Sequence, residues 1–381
     1  MQLTIIILNY NVRYFLELCV LSVQKAIQNI DAEIIVIDNN SPDDSCAMMK
    51  SRFPNVKLIE NKENSGFPKG NNIGVAQAKG EYICILNPDT VVAEDTFTKV
   101  LAFAERQKNL GIVGCKLIDG TGNFLPESKR GVPTPFVAFT KIFGLYKFSN
   151  YFGKYYAQHL NENKTGKVDI LVGAFMVMKR ELYLEVGGFD ENCFMYSDDI
   201  DLSYMVLQKG KTNYYLNETT LIHYKGESTI KDETYMKRFQ EAMNFFYKKH
   251  FKISVFFTAF MKTGIVFFSF VKMFQGKSKQ KNQPDHYILI SNSQQLQDKL
   301  EKQFKKPVQL QNIPQSFSEN KNVEVIFDNN FIDFKTIIQL LEQNKNKKLT
   351  YKIIPQMTDY MIGSNSSNDC GEVIHIVDFN N

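Results

Sequence analysis

The sequence predicts an α/β protein, a mostly parallel sheet flanked by helices, and three observations carry that expectation. Short apolar runs rich in β-branched residues alternate with helix-length amphipathic stretches from the first residues onward. Each run stops at a cluster of Asn, Asp, Ser, Gly or Pro, so the strand ends deliver polar loops toward one edge of the sheet. The 381 residues exceed one typical core and set a prior of two to three domains, with 44% apolar residues to fill them.

Residues 3–8 form the first strand, and Asn9, Tyr10 and Asn11 form its terminal loop before an amphipathic helix over 15–29. That apolar run is too short for a secretory core and has no basic leader, so it reads as a strand. A second strand over 33–37 ends in DNNSP at 38–42, turn residues with helix-start chemistry. A third over 56–60 precedes the stretch NSGFPKGNNIG at 64–74, read as a glycine-rich loop, and then a helix ending at Gly80. The run YICIL at 82–86 organises the rest. It stops at Asn87, Pro88 and Asp89, where Pro88 has no N–H for a sheet ladder, and so presents a carboxylate at the carboxyl end of a strand. Residues 168–178 return as a strand and 180–186 as a helix, and a turn at Gly187 and Gly188 then delivers Phe194, Met195 and Tyr196.

A net charge of +4 gives no argument for nucleic acid. Cys19, Cys46, Cys84, Cys115, Cys193 and Cys370 are scattered without CxxC spacing and read as reduced thiols of a cytoplasmic protein. Neither GxGxxG after the first strand nor GxxxxGK[ST] anywhere is present, which argues against a dinucleotide fingerprint and a P-loop.

The strand-end loops have distinct chemistries. Asp38 can accept the imide N–H of uracil or thymine beside the ring of Tyr10, or it closes an Asx-turn while Tyr10 packs. The glycines of 64–74 permit a close approach of backbone to ligand, with Asn64, Asn71 and Asn72 to bond ribose or phosphate. Asp89 is placed to meet a metal or a phosphate-bearing ligand, or to cap the helix that follows. Lys129 and Arg130, in PESKRGVPTPF at 126–136, meet an anionic acceptor or form a solvated charge pair. Asp198, Asp199 and Asp201 stand at a helix start, where acids favour the macrodipole; Asp201 is expected to do that and Asp199 to do chemistry.

LTIIILNYN, EIIVIDNNSPDDS, NSGFPKGNNIG, LNPDT, GAFMVMKRELYLEVGGFDENCFMYSDDIDLSY and LIHYKGES resemble, in order and spacing, the inverting glycosyltransferases of family 2, rhamnosyltransferase-like branch, over roughly residues 1–250. The resemblance implies the GT-A fold. It implies a nucleotide sugar bound by Asn9, Tyr10 and Asn11, the base-reading Asp38, and Asn64, Gly66, Phe67, Asn71, Asn72, Asn87 and Gly173. Asp89 matches the metal-binding aspartate of a DxD motif whose first position is here Asn87, and His223 matches a late histidine near metal and diphosphate. Asp199 matches the catalytic base, Asp198 stands where Glu is usual, and Met205 stands where an arginine is common. Tyr196, Asp198, Lys129 and Arg130 face the acceptor in this reading. Mg²⁺ or Mn²⁺ suits such oxygen-rich sites. A processive synthase would carry QxxRW after the base, and the chain has no tryptophan, which favours single addition.

Residues 253–274 gather Phe256, Phe257, Phe260, Phe267, Phe268 and Val271 on one helical face and Lys262 and Lys272 on the other, flanked by lysines. That is the pattern of a helix lying in a membrane interface; a helix packed on the catalytic domain and a spanning helix are the alternatives, the last disfavoured by Lys262. After a linker over 277–284, residues 285–381 alternate as β-α-β-α-β-β, a small Rossmann-like domain without a glycine-rich phosphate loop, suited to docking, regulation or ligand binding. The expected domains are therefore 1–250, a membrane-associating helix over 251–276, the linker, and 285–381.

Together these readings describe a metal-dependent inverting transferase. It moves one sugar, rhamnose-like, from a dTDP or UDP donor to a lipid-linked or glycan acceptor in cell-envelope polysaccharide synthesis. It would work peripherally at the inner face of the plasma membrane, with polysaccharide-assembly proteins as partners of the C-terminal domain. A nucleotidyltransferase lacks support at residues 9–13, and a catalytically silent nucleotide-sugar-binding or scaffold protein is the alternative.

Overall fold

The structure, a computed structural model, describes residues 1–134, 136–137, 140, 153–225, 233–251, 284–312, 322–365 and 370–378. The amphipathic stretch 253–274 and the linker up to residue 283 lie outside the described residues. Among the described residues, no helix is long and apolar enough to cross a membrane.

Strands β1 (Leu3–Asn9), β2 (Ala32–Asp38), β3 (Lys57–Glu60) and β4 (Tyr82–Leu86) lie parallel in the order β3-β2-β1-β4. Register pairs Asn9 with Asp38, so the polar ends of β1 and β2 meet. Past β4 the sheet is mixed rather than mostly parallel. β8 (Phe175–Lys179) runs antiparallel to β4, β6 (Leu110–Ile118) antiparallel to β8, and β9 (Thr212–His223) parallel to β6. β5 (Thr90–Val91) and β7 (Gly166–Val168) pair antiparallel with β9. The single strand expected over 168–178 is two strands. The residues between them give their backbone to the site instead: Ile170 pairs with Arg130, and Gly173 N–H donates to Asp199, bonds a continuous ladder would have consumed.

Alternation along β1 shows why both of its faces are apolar. Leu3, Ile5 and Ile7 pack under α1 (Arg13–Ala26), α2 (Ser45–Arg52) and α4 (Thr96–Glu105). Ile6 faces the opposite layer, with α3 (Gly66–Ala76), α5 (Arg180–Glu185) and α6 (Asp198–Gln208). Helix α7 (Glu233–His250) packs Met243, Phe246 and Tyr247 on Ile170 of the interstrand segment and Ile200 of α6. This is the GT-A arrangement implied by the resemblance.

The stretch 64–74 is not a loop: α3 begins at Gly66. Its glycines bring helix to sheet rather than backbone to ligand, since a Cβ at Gly70 would lie 2.4 Å from Leu8 and one at Gly74 2.6 Å from both Ile6 and Ile37. Pro68 falls in the first helical turn, where its missing N–H costs nothing.

The C-terminal domain is a second sheet in the order β11-β10-β12-β13-β14-β15. Its parallel strands are β10 (His286–Ile290), β11 (Val308–Gln311), β12 (Val323–Asp328) and β13 (Leu349–Ile354); β14 (Tyr360–Gly363) and β15 (Glu372–His375) close it antiparallel. Helices α8 (Gln294–Phe304) and α9 (Phe334–Gln343) are capped by Ser293, accepting from Leu296 N–H, and Asp333, accepting from Thr336 N–H. Strands β11 and β14 add to the expected pattern. The two sheets share an apolar cluster in which Phe15, Leu18, Val91 and Ile222 meet Phe334, Ile337, Leu341 and Tyr351.

Candidate active site

At the β1 and β2 ends, Asp38 is buried and held by its own turn: Asn9 Nδ2 donates to Oδ1 at 2.8 Å, Ser41 Oγ to Oδ1 at 2.6 Å, and Ser41 N–H to Oδ2 at 2.9 Å. The Asx-turn is therefore real, and a nucleobase N–H must share this carboxylate with it. Asn11, at φ 58°, donates its N–H to Ser41 Oγ, and Tyr10 stands exposed beside it. Asn9 Oδ1 is buried without a hydrogen-bond partner among the described residues.

Along α3 the predicted contacts divide. Asn64 Oδ1 accepts from Asn39 Nδ2 and Gly66 N–H, and Gly66, at φ +80°, admits Phe194 where a Cβ would lie 2.8 Å from its ring. Phe67 donates its N–H to Phe194 O and packs edge-on against Phe189. Asn71 is buried with Oδ1 unpartnered among the described residues. Asn72 has a different task from the expected ribose contact. Its amide donates to Phe189 O and Glu191 and accepts from Tyr183 OH at 2.6 Å and Phe189 N–H, which uses its whole bonding capacity to bracket the 187–191 turn.

At the end of β4, Asp89 Oδ1 lies 3.4 Å from His223 Nε2, both side chains nine-tenths buried or more, and Asn87 Nδ2 lies 3.4 Å from the same nitrogen. The ladder that pairs Thr90 with His223 holds them together. One carboxylate and one imidazole, with no thiolate, fit a hard divalent cation and leave positions for ligand oxygens. Among the described residues no group of three such side chains is found.

Asp199 is held through a single oxygen. Arg130 Nη2 donates to Oδ2 at 2.6 Å and Gly173 N–H to the same oxygen at 3.1 Å. Arg130 itself is fixed by Leu171 O at 3.0 Å and by paired backbone bonds with Ile170. Burial opposes its charge, and Asp199 and Tyr155 hold its pKa above the ordinary arginine value. Neither expectation for Arg130 holds, anionic-acceptor contact or solvated pair: it is buried against Asp199. Lys129 is likewise buried, its Nζ 3.2 Å from the carbonyls of Tyr156 and Ala157, and burial lowers its pKa; an ammonium so occupied is no acceptor contact. Asp201 does more than favour a dipole. It is buried and pairs with Lys249 at 2.8 Å and with His250, tying α7 to α6.

Asp198 is pushed up to about 7, first by burial and then by Asp199, against the pull of the Asp198 and Tyr196 N–H groups and Arg130. Tyr196 is held at φ 81° just before this pair. A carboxyl whose folded pKa lies above its unfolded value of about 4 costs stability increasingly as pH rises from about 4 toward 7. Asp198→Asn should therefore be more favourable, relative to the parent chain, at pH 8 than at pH 5. Denaturant midpoints at the two pH values check this, and a pH-independent difference would mean that the proton is not held at Asp198.

The glycosyl transferase family 2 model matches residues 4–187, the stretch that supplies Asp38, Asp89, Arg130 and Gly173. Residues 4–187 belong to glycosyltransferase family 2. The chain is 26% identical over 210 residues to an N-acetylglucosaminyl-diphospho-decaprenol L-rhamnosyltransferase from Mycobacterium tuberculosis, covering 52% of this chain and 68% of that protein. It is 26% identical over 218 residues to the rhamnosyltransferase WbbL of Escherichia coli, covering 53% of this chain and 78% of that one. These relatives place the glycosyltransferase in the rhamnosyltransferase-like branch. Among solved structures, a mannosyltransferase from Pyrobaculum calidifontis in complex with GDP-Man and Mn²⁺ aligns with a TM-score of 0.47 and 17% identity, covering 73% of this chain and 76% of that one.

Sequence reasoning missed the Arg130–Asp199 pair and the Asn72 bracket. No local signal encodes either, because the partners lie 69 and 111 to 119 residues away.

Proposed function

We propose that this glycosyltransferase transfers a single sugar, with inversion, from a nucleotide donor to a lipid-linked or glycan acceptor in cell-envelope polysaccharide synthesis. The observation that carries the reading is the way Asp199 is held. Both of its described hydrogen bonds fall on Oδ2, which orients the carboxylate and leaves Oδ1 to take the proton of an acceptor hydroxyl. As that oxygen attacks the anomeric carbon, the bond from this carbon to the nucleoside diphosphate breaks and the proton ends on Asp199. The donor base lies against Asp38 and Tyr10. Asp89 and His223 would hold Mg²⁺ or Mn²⁺, which supplies charge neutralisation for the departing diphosphate.

The decaprenol-linked acceptor named for the mycobacterial relative and the rhamnosyl activity of both relatives support a rhamnose-like sugar and a polyprenyl-diphosphate glycan acceptor; the carrier in this reading is dTDP or UDP. Such an acceptor favours work at the inner membrane face.

Titration calorimetry with a panel of dTDP- and UDP-sugars, with and without Mn²⁺, tests the reading. One donor should bind, and its affinity should fall when the metal is chelated, because the diphosphate loses its charge neutralisation. Absence of binding to every donor by folded protein would overturn it.

A further inference from the structure

The C-terminal domain meets the catalytic domain behind both ends of the donor site, and the contacts are of a kind that fixes geometry. At the nucleoside end the focus is Glu17 on α1, 1% exposed. Its carboxylate lies 3.0 Å from Arg13 Nη1 and 2.8 Å from Arg52 Nε, and accepts from Tyr360 OH of the C-terminal domain at 2.8 Å. Arg52 continues across the boundary, donating to Met357 O at 2.6 Å and Gln356 O at 2.9 Å. Burial and Glu17 together raise the Tyr360 pKa above the ordinary tyrosine range, which keeps it the proton donor of this bond.

Arg13 and Arg52 stand on the helices that follow β1 and β2. Arg13 N–H donates to Asp43, in the turn that begins at Asp38, and its Nε lies 3.3 Å from Asp44. The chain from Tyr360 to the base-reading loop thus starts at the buried Glu17 and runs through the charged contacts of the partly exposed Arg52 and Arg13 to the turn at Asp43 and the exposed Asp44.

At the diphosphate end the contact is apolar. Val91 and Ile222, each one residue from the Thr90–His223 rung, are buried with Phe334, Ile337 and Leu341 of the C-terminal domain. Tyr224, next to His223, packs against Phe15 of α1 at 5.0 Å, which joins the two ends. Glu94 completes the junction: its two carboxylate oxygens accept from Phe334 and Lys335 N–H at 2.9 and 2.8 Å, the free donors of the first turn of α9.

We infer that the C-terminal domain is a positioning element of the donor site, bracing α1 and α2 through Tyr360, Glu17 and Arg52 and the β5–β9 ribbon of Asp89 and His223 through its apolar face. The inference rests on the donor-site reading above and gives the domain a task in donor binding. Tyr360 and Arg52 are then positioning residues that touch no substrate.

The test is titration calorimetry of UDP and dTDP with Mn²⁺ on the full chain, far below the unfolding temperature, for the parent and two variants. Tyr360→Phe keeps the ring and removes only the donation to Glu17. Leu300→Ala opens the far face of the same domain, where Leu300 is buried with Leu289 and Ile326 away from the junction. Tyr360→Phe should weaken nucleotide binding roughly fivefold or more, and in transfer assays raise the donor KM while leaving kcat and the acceptor KM in place. Leu300→Ala should lower the unfolding temperature and leave the affinity unchanged. Equal affinity of the parent and Tyr360→Phe overturns the brace alone, and so does an equal loss in both variants, which marks a global stability effect. A parent chain that binds neither nucleotide removes the donor-site reading and the brace with it.

Discussion

Asp199→Asn is expected to lower kcat for sugar transfer roughly 10²- to 10⁴-fold, the range general bases contribute, with donor binding nearly unchanged. The substitution is nearly isosteric. Gly173 N–H and Arg130 keep an oxygen to donate to, but the group that would take the acceptor proton is gone. A charge argument adds a second expectation. Arg130 would remain buried with its counter-ion neutralised, so the variant should also unfold at lower denaturant, by up to about 3–5 kcal/mol. Steady-state rates with the donor identified by calorimetry, paired with nucleotide affinity, separate chemistry from folding. Full activity in Asp199→Asn would move the base elsewhere, and buried Asp198, close enough to shift with it, would be next in line.

The parallel core was legible because β1, β2 and β4 are continuous β-branched runs punctuated by Asn, Asp and Pro, and a strand buried on both faces leaves just that record. Asp38 and Asp89 were legible for the same reason, since a strand's end fixes where its terminal carboxylate lies. What failed were inferences from local composition. NSGFPKGNNIG has the composition of a loop, yet its glycines mark tight packing of α3 on β1 and β2, a tertiary demand that overrides helix propensity. Lys129 and Arg130 have the composition of a surface pair, and burial reversed both assignments: one ammonium satisfies carbonyls and one guanidinium holds a carboxylate. Charge type is written in the sequence. Burial and partner are properties of the folded chain.

The pair offers the most direct test of that distinction. Arg130→Met keeps length and apolar volume but leaves Asp199, 9% exposed, with Gly173 N–H as its one remaining described donor. If the pair were solvated, the loss would be at most about 1 kcal/mol. For the buried pair the expected loss is about 3–5 kcal/mol, because an unpartnered carboxylate must stay out of water or take up a proton. Transfer should fall with it, since a protonated Asp199 accepts nothing. The double variant Arg130→Met/Asp199→Asn removes both charges and should be more stable than the sum of the single losses predicts, by about 0.5–3 kcal/mol. Urea midpoints for the four chains close the cycle. A coupling of zero would mean that Arg130 and Asp199 do not act as a pair, and the orientation of the base would have to come from Gly173 alone.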